Sequence, residues 1–385
     1  MNFGLTEEQQ MVKDQVTKFA ETQIKPIAAD LDHTHRHPEE ICRKLGAMGI
    51  MGVAAPTEYG GAGMDVVTYV LCMIAISKAC ASTGVIVSVN NSLYGFPVNA
   101  YGTHEQKLKF LAPVAGGEVE GCYALTEAGA GSDAAALSCK AELKGDKYII
   151  NGAKRFITSG NVAKYCVLAC TTDVTKGYKS IINLIVDLKS TKGFSIGKIE
   201  EKIGILASGT AELVFEDAEV PAANLLGKEG QGFRQMLSGL DAGRIGIGSQ
   251  ACGIGKAALE DALNYAKERV QFGKPIASFQ LTQARLVHMV TEITKAQLLC
   301  LQLGRLKDTG KARFQQISMA KRNNVFHALE IAREARGILG ANGILEEYPV
   351  MRHAANLESV ITYEGTHEMH TLIVGEDITG IPAYT

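Results

Sequence analysis

The sequence predicts an α+β protein with a helical N-terminal domain, a central antiparallel β domain and a C-terminal helical bundle. Three observations support this order. Apolar residues recur at helical spacing up to about residue 116, short β-branched runs begin near Gly121, and the helical period returns after Pro221. Because strand follows strand with no helix between them, the middle region is typical of an antiparallel sheet or barrel. We place the domains at 1–120, 121–228 and 229–385.

The helical regions carry the usual start signals and apolar spacing. Thr6 and Gln9 form a capping box at the start of the first predicted helix. Further N-terminal helices are predicted at roughly 38–49, 65–80, 90–101 and 104–116. In the C-terminal bundle, helices are predicted at roughly 230–268, 278–308, 313–340 and 350–358.

Composition restricts the class of protein. With 46% hydrophobic and 21% charged residues, the 385-residue chain has the balance of a globular protein, and its formal net charge of −2 gives no reason to expect nucleic acid or an anionic membrane. The longest apolar run, 66–76, is too short to span a bilayer. Nine scattered cysteines without a CxxC pair, and no N-terminal signal pattern, predict a soluble, cytoplasmic protein.

YALTEAGAGSDA, Tyr123–Ala134, is the first segment that indicates a ligand. Gly129, Gly131 and Ala134 match a GxGxxG/A pattern, but a dinucleotide fold needs a helix next, and ALSCKAELKGDKYIING predicts a β-hairpin instead. The segment is therefore either a flexible turn or a glycine-rich loop at a sheet edge. In the second case its N–H groups and the hydroxyls of Thr126 and Ser132 can receive an anionic or ring-shaped ligand.

Three other segments each allow a structural and a functional interpretation. KRFITSG, Lys154–Gly160, is either a core strand or an aromatic wall with the Thr158 hydroxyl facing a planar cofactor. Asp241 and Arg244, three residues apart on one helix face, form either a surface ion pair or a ligand contact. Arg269, beside Phe272, either ends a solvated helix or binds phosphate oxygens.

The histidines do not predict a metal centre. His33, His35 and His37 alternate in a polar stretch that we interpret as a loop. His367 and His370 have ligand-like spacing, but they lack a third fixed ligand. Glu364, in the preceding ITYEGTHEMH stretch, is either on a solvated helix face or a catalytic base in a dry pocket.

Six segments decide between these interpretations together. In this order, YALTEAGAGSD, KRFITSG, LDAGRIGIGSQA, RVQFGKPI, ILGANG and YEGTHE resemble the acyl-CoA dehydrogenase family of flavoproteins, over about Leu5 to Thr385. The resemblance implies a C-terminal four-helix bundle, a homotetramer, FAD as cofactor and an electron-transfer flavoprotein as acceptor. It implies oxidoreductase activity that converts an acyl-CoA into its enoyl-CoA.

The resemblance also implies individual roles. Glu364 would remove the α-proton while the β-hydride passes to flavin N5, since a thioester α-proton needs a carboxylate made more basic by burial. Residues implied to contact FAD are Tyr123, Leu125, Thr126, Gly131, Ser132, Phe156, Ile157, Thr158, Thr366 and Glu368. Residues implied to reach the FAD of a neighbouring subunit are Arg269, Phe272, Gln280, Gly337 and Gly340. Residues implied to contact the acyl-CoA are Ser132, Asp241, Arg244 and Gly365.

The acyl group is less defined by the resemblance. The first two-thirds of the chain resemble short-chain members and the last third resembles glutaryl-CoA dehydrogenases, yet the arginine that those enzymes use for the distal carboxylate is replaced around Gly84. Phe156 and Leu206 also depart from the usual tryptophan and arginine. We expect a short, branched or alicyclic acyl group. Alternatives are an enoyl-CoA reductase, a glutaryl-CoA dehydrogenase and a non-catalytic scaffold, and the presence of Glu364 argues against the last.

Overall fold

The computed structural model describes residues 4–383 and has the predicted helix–strand–helix order. The capping box of the first helix is confirmed, with Thr6 and Gln9 exchanging two hydrogen bonds of 3.1 Å. The N-terminal helices are α1 (Glu7–Phe19), α2 (Ala28–His33), α3 (Glu39–Ala47), α4 (Val66–Ala79), α5 (Ala81–Ser88), α6 (Phe96–Tyr101), α7 (His104–Gln106) and α8 (Ala112–Ala115).

A π-helical stretch, Val89–Gly95, joins α5 to α6 where the sequence predicts a regular helix. Its side chains explain the irregularity. The Asn90 amide donates to the carbonyls of Met51 (2.9 Å) and Val114 (3.1 Å), and its Oδ1 accepts from the Gly121 N–H at 3.1 Å. This stretch therefore fixes the N-terminal helices to the first residue of the sheet, and π-helical turns of this kind are frequent at functional sites.

The middle of the chain forms a seven-stranded sheet. Its strands are β1 (Gly121–Ala124), β2 (Lys140–Lys144), β3 (Lys147–Thr158), β4 (Tyr165–Thr171), β5 (Ile181–Asp187), β6 (Phe194–Ile199) and β7 (Thr210–Pro221). The predicted hairpin is present as β2 and β3, with Gly145 at φ +62° in the turn. Four strand pairs are antiparallel as predicted, whereas β4 pairs in parallel with β2, through Lys140 and Thr171, and with β1. The long connection through the hairpin makes that parallel pairing possible.

The C-terminal helices are α9 (Gly232–Glu268), α10 (Gln280–Asp308), α11 (Phe314–Ile338), α12 (Val350–Val360) and α13 (His367–Thr379). A small hairpin of β8 (Val270–Gln271) and β9 (Lys274–Pro275) separates α9 from α10. Helix α9 lies at the centre and packs against α4, α10, α11 and α12. Its glycines and alanines allow this, since a Cβ added at Gly253 would lie 2.4 Å from the Ile74 carbonyl of α4.

Two further predictions concern the whole chain. All nine cysteines are buried free thiols, as expected for small core residues. Within residues 4–383, no helix combines the length and apolar character needed to cross a membrane.

Candidate active site

Glu364 lies in the turn between α12 and α13 with an unusual backbone conformation. Its φ is +54°, and that of Gly365 is +94°. The left-handed region is uncommon for residues other than glycine, and such conformations persist where the surroundings enforce them, often at functional sites. The unfavourable backbone conformation of Glu364 therefore fixes the direction in which its side chain leaves the turn.

Two buried cations hold this turn through its backbone. Lys321 of α11, only 1% exposed, donates from Nζ to the carbonyls of Tyr363 (2.9 Å) and Gly365 (2.6 Å). Arg244 of α9 donates from Nε to the carbonyl of Glu364 at 3.1 Å. Three successive carbonyls thus accept hydrogen bonds from positive groups. Neither Lys321 nor Arg244 hydrogen-bonds the Glu364 carboxylate.

The Glu364 carboxylate itself has little solvation. Its Oε2 is sealed from solvent and has no hydrogen-bond partner among the described residues. It lies against α9, where a Cβ added at Gly243 would be 2.3 Å from Oε2. Burial raises the Glu364 pKa to about 7, although the charges of Lys321 and Arg244 oppose the shift. Burial likewise lowers the Lys321 pKa to about 7. A carboxylate with a pKa near neutrality is suited to general base chemistry.

A cavity of about 270 Å³ lies close to the part of α9 that Glu364 contacts, although Glu364 is not one of its lining residues. Ala242 and Ile245, which flank Gly243 on α9, line it together with Tyr69. Burial raises the Tyr69 pKa, and the nearby Glu364 charge adds to the shift. Other lining residues are Asn90, Asn91, Ser92, Phe96, Asn99 and Lys307. The cavity is mainly apolar with a few polar groups, which is typical of a small-molecule site.

The glycine-rich loop at the sheet edge is anchored by an ion pair that the sequence analysis missed. Lys154 is fully buried and donates to Glu127 Oε1 (2.7 Å) and the Leu125 carbonyl (3.0 Å). Glu127 also accepts from Ser138 and Cys139 across the loop. Burial opposes ionisation of Glu127, but these partners outweigh burial and lower its pKa. The available signal was a lysine at an inward position of β3 together with a glutamate in the loop that follows β1.

A β-bulge in β3 sets the position of Phe156. The register with β7 shifts between Lys154 and Ile157, and Phe156 has φ +59° and is 56% exposed. The Arg155 N–H donates instead to the carbonyl of Thr126, at 2.7 Å. The bulge thus brings the exposed ring to the end of β1, as bulges near sites commonly re-aim side chains.

Other predicted residues of this region differ in exposure. The side chains of Leu125 and Ile157 are buried in apolar clusters, so that only their backbones can face a ligand. Tyr123 packs where clusters from all three parts of the chain meet, and its buried hydroxyl has no partner among the described residues. A Cβ added at Gly129 or Gly131 would meet nothing within 4 Å. Ser132 is exposed, and Thr158 is half-buried.

The residues predicted to reach a second subunit gather elsewhere, at the C-terminal end of α9. The Arg269 N–H donates to the Tyr265 carbonyl (2.8 Å), and the Asn342 amide donates to the Tyr265 hydroxyl (3.0 Å). Phe272 is 93% exposed at φ +52°. Gln280 and Gly340 are exposed, and Gly337 is half-buried. The structure groups these residues with each other and not with Glu364.

The remaining predicted residues surround the Glu364 turn. Asp241 pairs with Arg244 at 3.2 Å, so the predicted face is present, although Arg244 also holds the turn. Thr366 caps α13 by accepting from the Met369 N–H at 3.2 Å. Glu368 is exposed, and its own backbone N–H and Thr366 lower its pKa. Glu368 therefore lacks the dry setting of Glu364.

His370 is buried beside the turn. Burial lowers its pKa to about 3, with Lys321 and Arg244 adding to the effect. Neither His367 nor His370 belongs to a group of three ligand-type side chains within residues 4–383. We find no metal-ligand set in this turn.

Comparisons with known proteins agree with this arrangement. Three family models match the chain: the acyl-CoA dehydrogenase N-terminal domain at residues 6–118, the middle domain at 122–218 and the C-terminal domain at 230–379. A short-chain specific acyl-CoA dehydrogenase of Clostridium acetobutylicum is 44% identical over 378 residues, covering 98% of this chain and 100% of that protein.

Two solved structures extend the similarity to the fold. A chain from a structural study of the electron transferring flavoprotein of Acidaminococcus fermentans and flavin-based electron bifurcation has a TM-score of 0.97 and 42% identity, covering 98% of this chain and 100% of that one. A glutaryl-CoA dehydrogenase from Mycobacterium smegmatis has a TM-score of 0.94 and 41% identity, covering 99% and 97% of the two chains.

Proposed function

The chain belongs to the acyl-CoA dehydrogenase family of FAD-dependent oxidoreductases, and on that basis we propose that Glu364 is the base that starts α,β-dehydrogenation of a short, branched or alicyclic acyl-CoA. One observation carries the proposal. Among the residues described, Glu364 combines a sealed, unpartnered carboxylate oxygen with a pKa raised to about 7 and a contact with α9, whose residues Ala242 and Ile245 line an apolar cavity.

The sheet edge suits the cofactor that the family uses. FAD needs a planar surface, open backbone and polar partners, and the chain offers the exposed ring of Phe156, the open positions of Gly129 and Gly131 and the unpartnered hydroxyl of Tyr123. Thr126 and Thr158 add hydroxyls on either side of the bulge. We propose that these residues hold the flavin ring, which when bound supplies the two-electron acceptor.

The protein's own contribution is to remove a proton next to the thioester and to stabilise the negative charge that develops there. Glu364 takes the α-proton, and its lack of hydrogen bonds keeps it basic. The Glu364 N–H donates no hydrogen bond within residues 4–383 and so can donate to the thioester oxygen as negative charge develops there. Lys321 and Arg244 keep the turn rigid, since both are fixed on its carbonyls.

The cavity supports a short, uncharged acyl group. Gly84 of α5 is buried against Ser77, where an added Cβ would lie 2.2 Å from Ser77 Oγ. This position carries no cation for a distal carboxylate, and it is not among the residues that line the cavity. Burying an unpaired carboxylate is costly. The cavity volume of about 270 Å³ also restricts chain length.

Glutaryl-CoA is a second candidate substrate because Lys307 lines the same cavity. Its Nζ lies 5.4 Å from the Phe96 ring centroid. Burial raises the pKa of Asp241, and the charges of Arg244 and Lys307 oppose that shift, which places Lys307 within electrostatic reach of Asp241. In this case Lys307 would pair with the distal carboxylate.

An anaerobic screen separates the two candidates. Butyryl-CoA, isobutyryl-CoA, a cyclohexane-carboxylyl thioester and glutaryl-CoA are mixed with the purified protein while the flavin absorbance is followed. We expect the neutral substrates to reduce the flavin much faster than glutaryl-CoA. Comparable rates for glutaryl-CoA, lost selectively in Lys307→Met, would show that Lys307 serves the carboxylate instead.

The electron acceptor and the direction of reaction form a separate proposal. Similarity to a chain from the electron transferring flavoprotein study supports an electron-transfer flavoprotein as acceptor. The same chemistry in reverse would make the protein an enoyl-CoA reductase. Turnover with a purified electron-transfer flavoprotein, measured in both directions, distinguishes these activities.

Assembly is also proposed. Helix α10 exposes large apolar side chains, including Leu281 (82%), Val287 (61%) and Val290 (48%), close in sequence to the exposed Phe272. Exposed apolar patches of this kind mark interaction surfaces. We expect a second copy to cover this face in a homotetramer, and multi-angle light scattering tests this directly. A monomer would rule it out.

A further inference from the structure

Three ligand-type side chains meet away from the Glu364 turn. His37 precedes α3, Cys42 lies in α3, and Glu120 directly precedes β1. His37 Nε2 and Glu120 Oε1 are 2.5 Å apart, and one ligand atom from each of the three residues lies within 4.8 Å of the others. The exposed fractions are small: 14% and 10% for the side chains of His37 and Glu120, and 3% for Cys42.

The contacts within the chain leave this cluster incompletely satisfied. The His37–Glu120 contact uses one ring nitrogen and one carboxylate oxygen. His37 Nδ1 and Glu120 Oε2 are buried and have no hydrogen-bond partner among residues 4–383. Buried polar atoms normally have a partner, because an unsatisfied one costs about 1–3 kcal/mol. An additional ligand would remove this cost.

We propose that His37, Cys42 and Glu120 bind one divalent metal ion of borderline softness, with Zn²⁺ as the best match. Zn²⁺ accepts imidazole nitrogen, thiolate sulfur and carboxylate oxygen, and three protein ligands leave a fourth position for water. A thiolate among the donors disfavours Mg²⁺ and Ca²⁺, which prefer oxygen. Burial and the Glu120 carboxylate raise the pKa of the Cys42 thiol, so the ion would bind with release of the thiol proton to solvent. The resulting thiolate and the carboxylate would balance the two positive charges of the ion.

The surroundings allow an ion to enter. The cluster lines an open cavity of about 470 Å³, together with Asn161 and Val162 at the sheet edge. Bond lengths of about 2.0–2.3 Å place tetrahedral ligands roughly 3–4 Å apart. The most distant ligand atoms would therefore need to approach by about 1 Å, whereas His37 Nε2 and Glu120 Oε1, now 2.5 Å apart, would need to separate. Lys164 and Lys189 also line the cavity and oppose a cation. Arg43 lines the cavity too, but its charge is paired with that of Glu39 at 2.6 Å. We therefore expect weaker binding than at a four-ligand structural site.

A bound ion would link residues that are far apart in the chain. His37 and Glu120 are separated by 83 positions, on the N-terminal helices and at the start of the sheet. A ligand that binds only the folded state stabilises it in proportion to the logarithm of its concentration above Kd. Zn²⁺ should therefore raise the melting temperature. The proposed site differs from the sequence analysis, which predicted no metal because it considered only histidines that are close together in the sequence.

The experiment uses the full-length protein with its flavin, freed of metal by chelation. Zn²⁺ is titrated in competition with a chromophoric chelator, and Co²⁺ is added separately to look for a thiolate-to-cobalt charge-transfer band. We expect about one Zn²⁺ per chain, a raised melting temperature and the cobalt band. Cys42→Ala, His37→Gln and Glu120→Gln should each lose these. Cys72→Ala, another buried thiol of the same apolar cluster, should keep them.

The outcomes are decisive in each direction. Equal Zn²⁺ binding by the parent and Cys42→Ala, or no binding by a folded, flavin-loaded parent, would overturn the proposal. If Cys42→Ala does not fold, the cobalt band of the parent still reports thiolate ligation, and its absence counts against the site. None of these readouts depends on dehydrogenase activity.

Discussion

Two glutamates, the buried Glu127 and the partly buried Glu364, lie close to buried lysines yet have pKa values shifted in opposite directions. Glu127 pairs directly with Lys154 and accepts three further hydrogen bonds, and its pKa is lowered. Glu364 lies near Lys321, but that lysine donates to backbone carbonyls instead, and the Glu364 pKa is raised to about 7. The comparison teaches that burial raises a carboxylate pKa unless direct charged and hydrogen-bonding partners outweigh it, and among residues 4–383 those partners are present at Glu127 and absent at the candidate base Glu364.

The largest expected effect is on Glu364, the proposed base. Glu364→Gln keeps the shape of the side chain and removes the proton acceptor. A positioned general base contributes about 10²–10⁴-fold, so we expect flavin reduction by acyl-CoA to slow by at least that range in single-turnover absorbance measurements. Thermal stability should not fall, because the variant removes a group whose ionisation burial opposes.

Glu358→Gln is the matched control. This exposed glutamate of α12 pairs with Arg333 at 2.6 Å, and exposed pairs contribute roughly 0–1 kcal/mol. We expect a parent-like rate of flavin reduction. If Glu364→Gln also reduces its flavin at the parent rate, the base lies elsewhere, with Glu368 the nearest carboxylate to test.

The second-largest expected effect is a loss of protein stability when the Glu127–Lys154 ion pair is broken. Glu127→Gln leaves the Lys154 charge buried and unpaired, which typically costs about 3–5 kcal/mol. We expect the urea midpoint to fall and the glycine-rich loop to lose flavin. The double variant Glu127→Gln with Lys154→Met should recover part of the loss, since it leaves no isolated charge. A double variant less stable than the single one would contradict this account.

A third variant moves the reactive carboxylate without changing it. Gly243→Ala places a Cβ where Glu364 Oε2 now lies, and the carboxylate must shift. A misplacement of about 1 Å can cost roughly 10²-fold in rate, and we expect a loss of up to that size with the flavin retained. Gly239→Ala, on the same helix with nothing within 4 Å of the new Cβ, is the control and should keep the parent rate.

The smallest expected effect is a shift in pH dependence. Glu364 must be ionised to act, so kcat/KM for the parent should rise with pH and level off above about 7. The Lys321 charge lowers the Glu364 pKa, so its removal in Lys321→Met should move the midpoint to higher pH and slow the reaction at pH 7 several-fold. Lys321→Arg keeps the charge and should shift the midpoint less. A downward shift in Lys321→Met would refute the sign of this coupling.

The sequence by itself determined the order of helices and strands and the position of the candidate base. Helical and strand periods, Thr6 with Gln9, and the hairpin around Gly145 are local signals, because they depend on residues within a few positions of each other. The order of the motifs from Tyr123 to Glu368 indicated the family, because that order can be recognised without knowing which residues are in contact.

Only the tertiary structure decided which charges meet. Lys321 reaches residues 363 and 365 from another helix, Lys154 reaches Glu127 from another strand, and His37 approaches Glu120 across 83 positions. The parallel pairing of β1 with β4 and the bulge that exposes Phe156 also depend on neighbouring strands. Hydrogen bonding and desolvation act over a few ångströms in space, and distance along the chain does not determine which groups come that close.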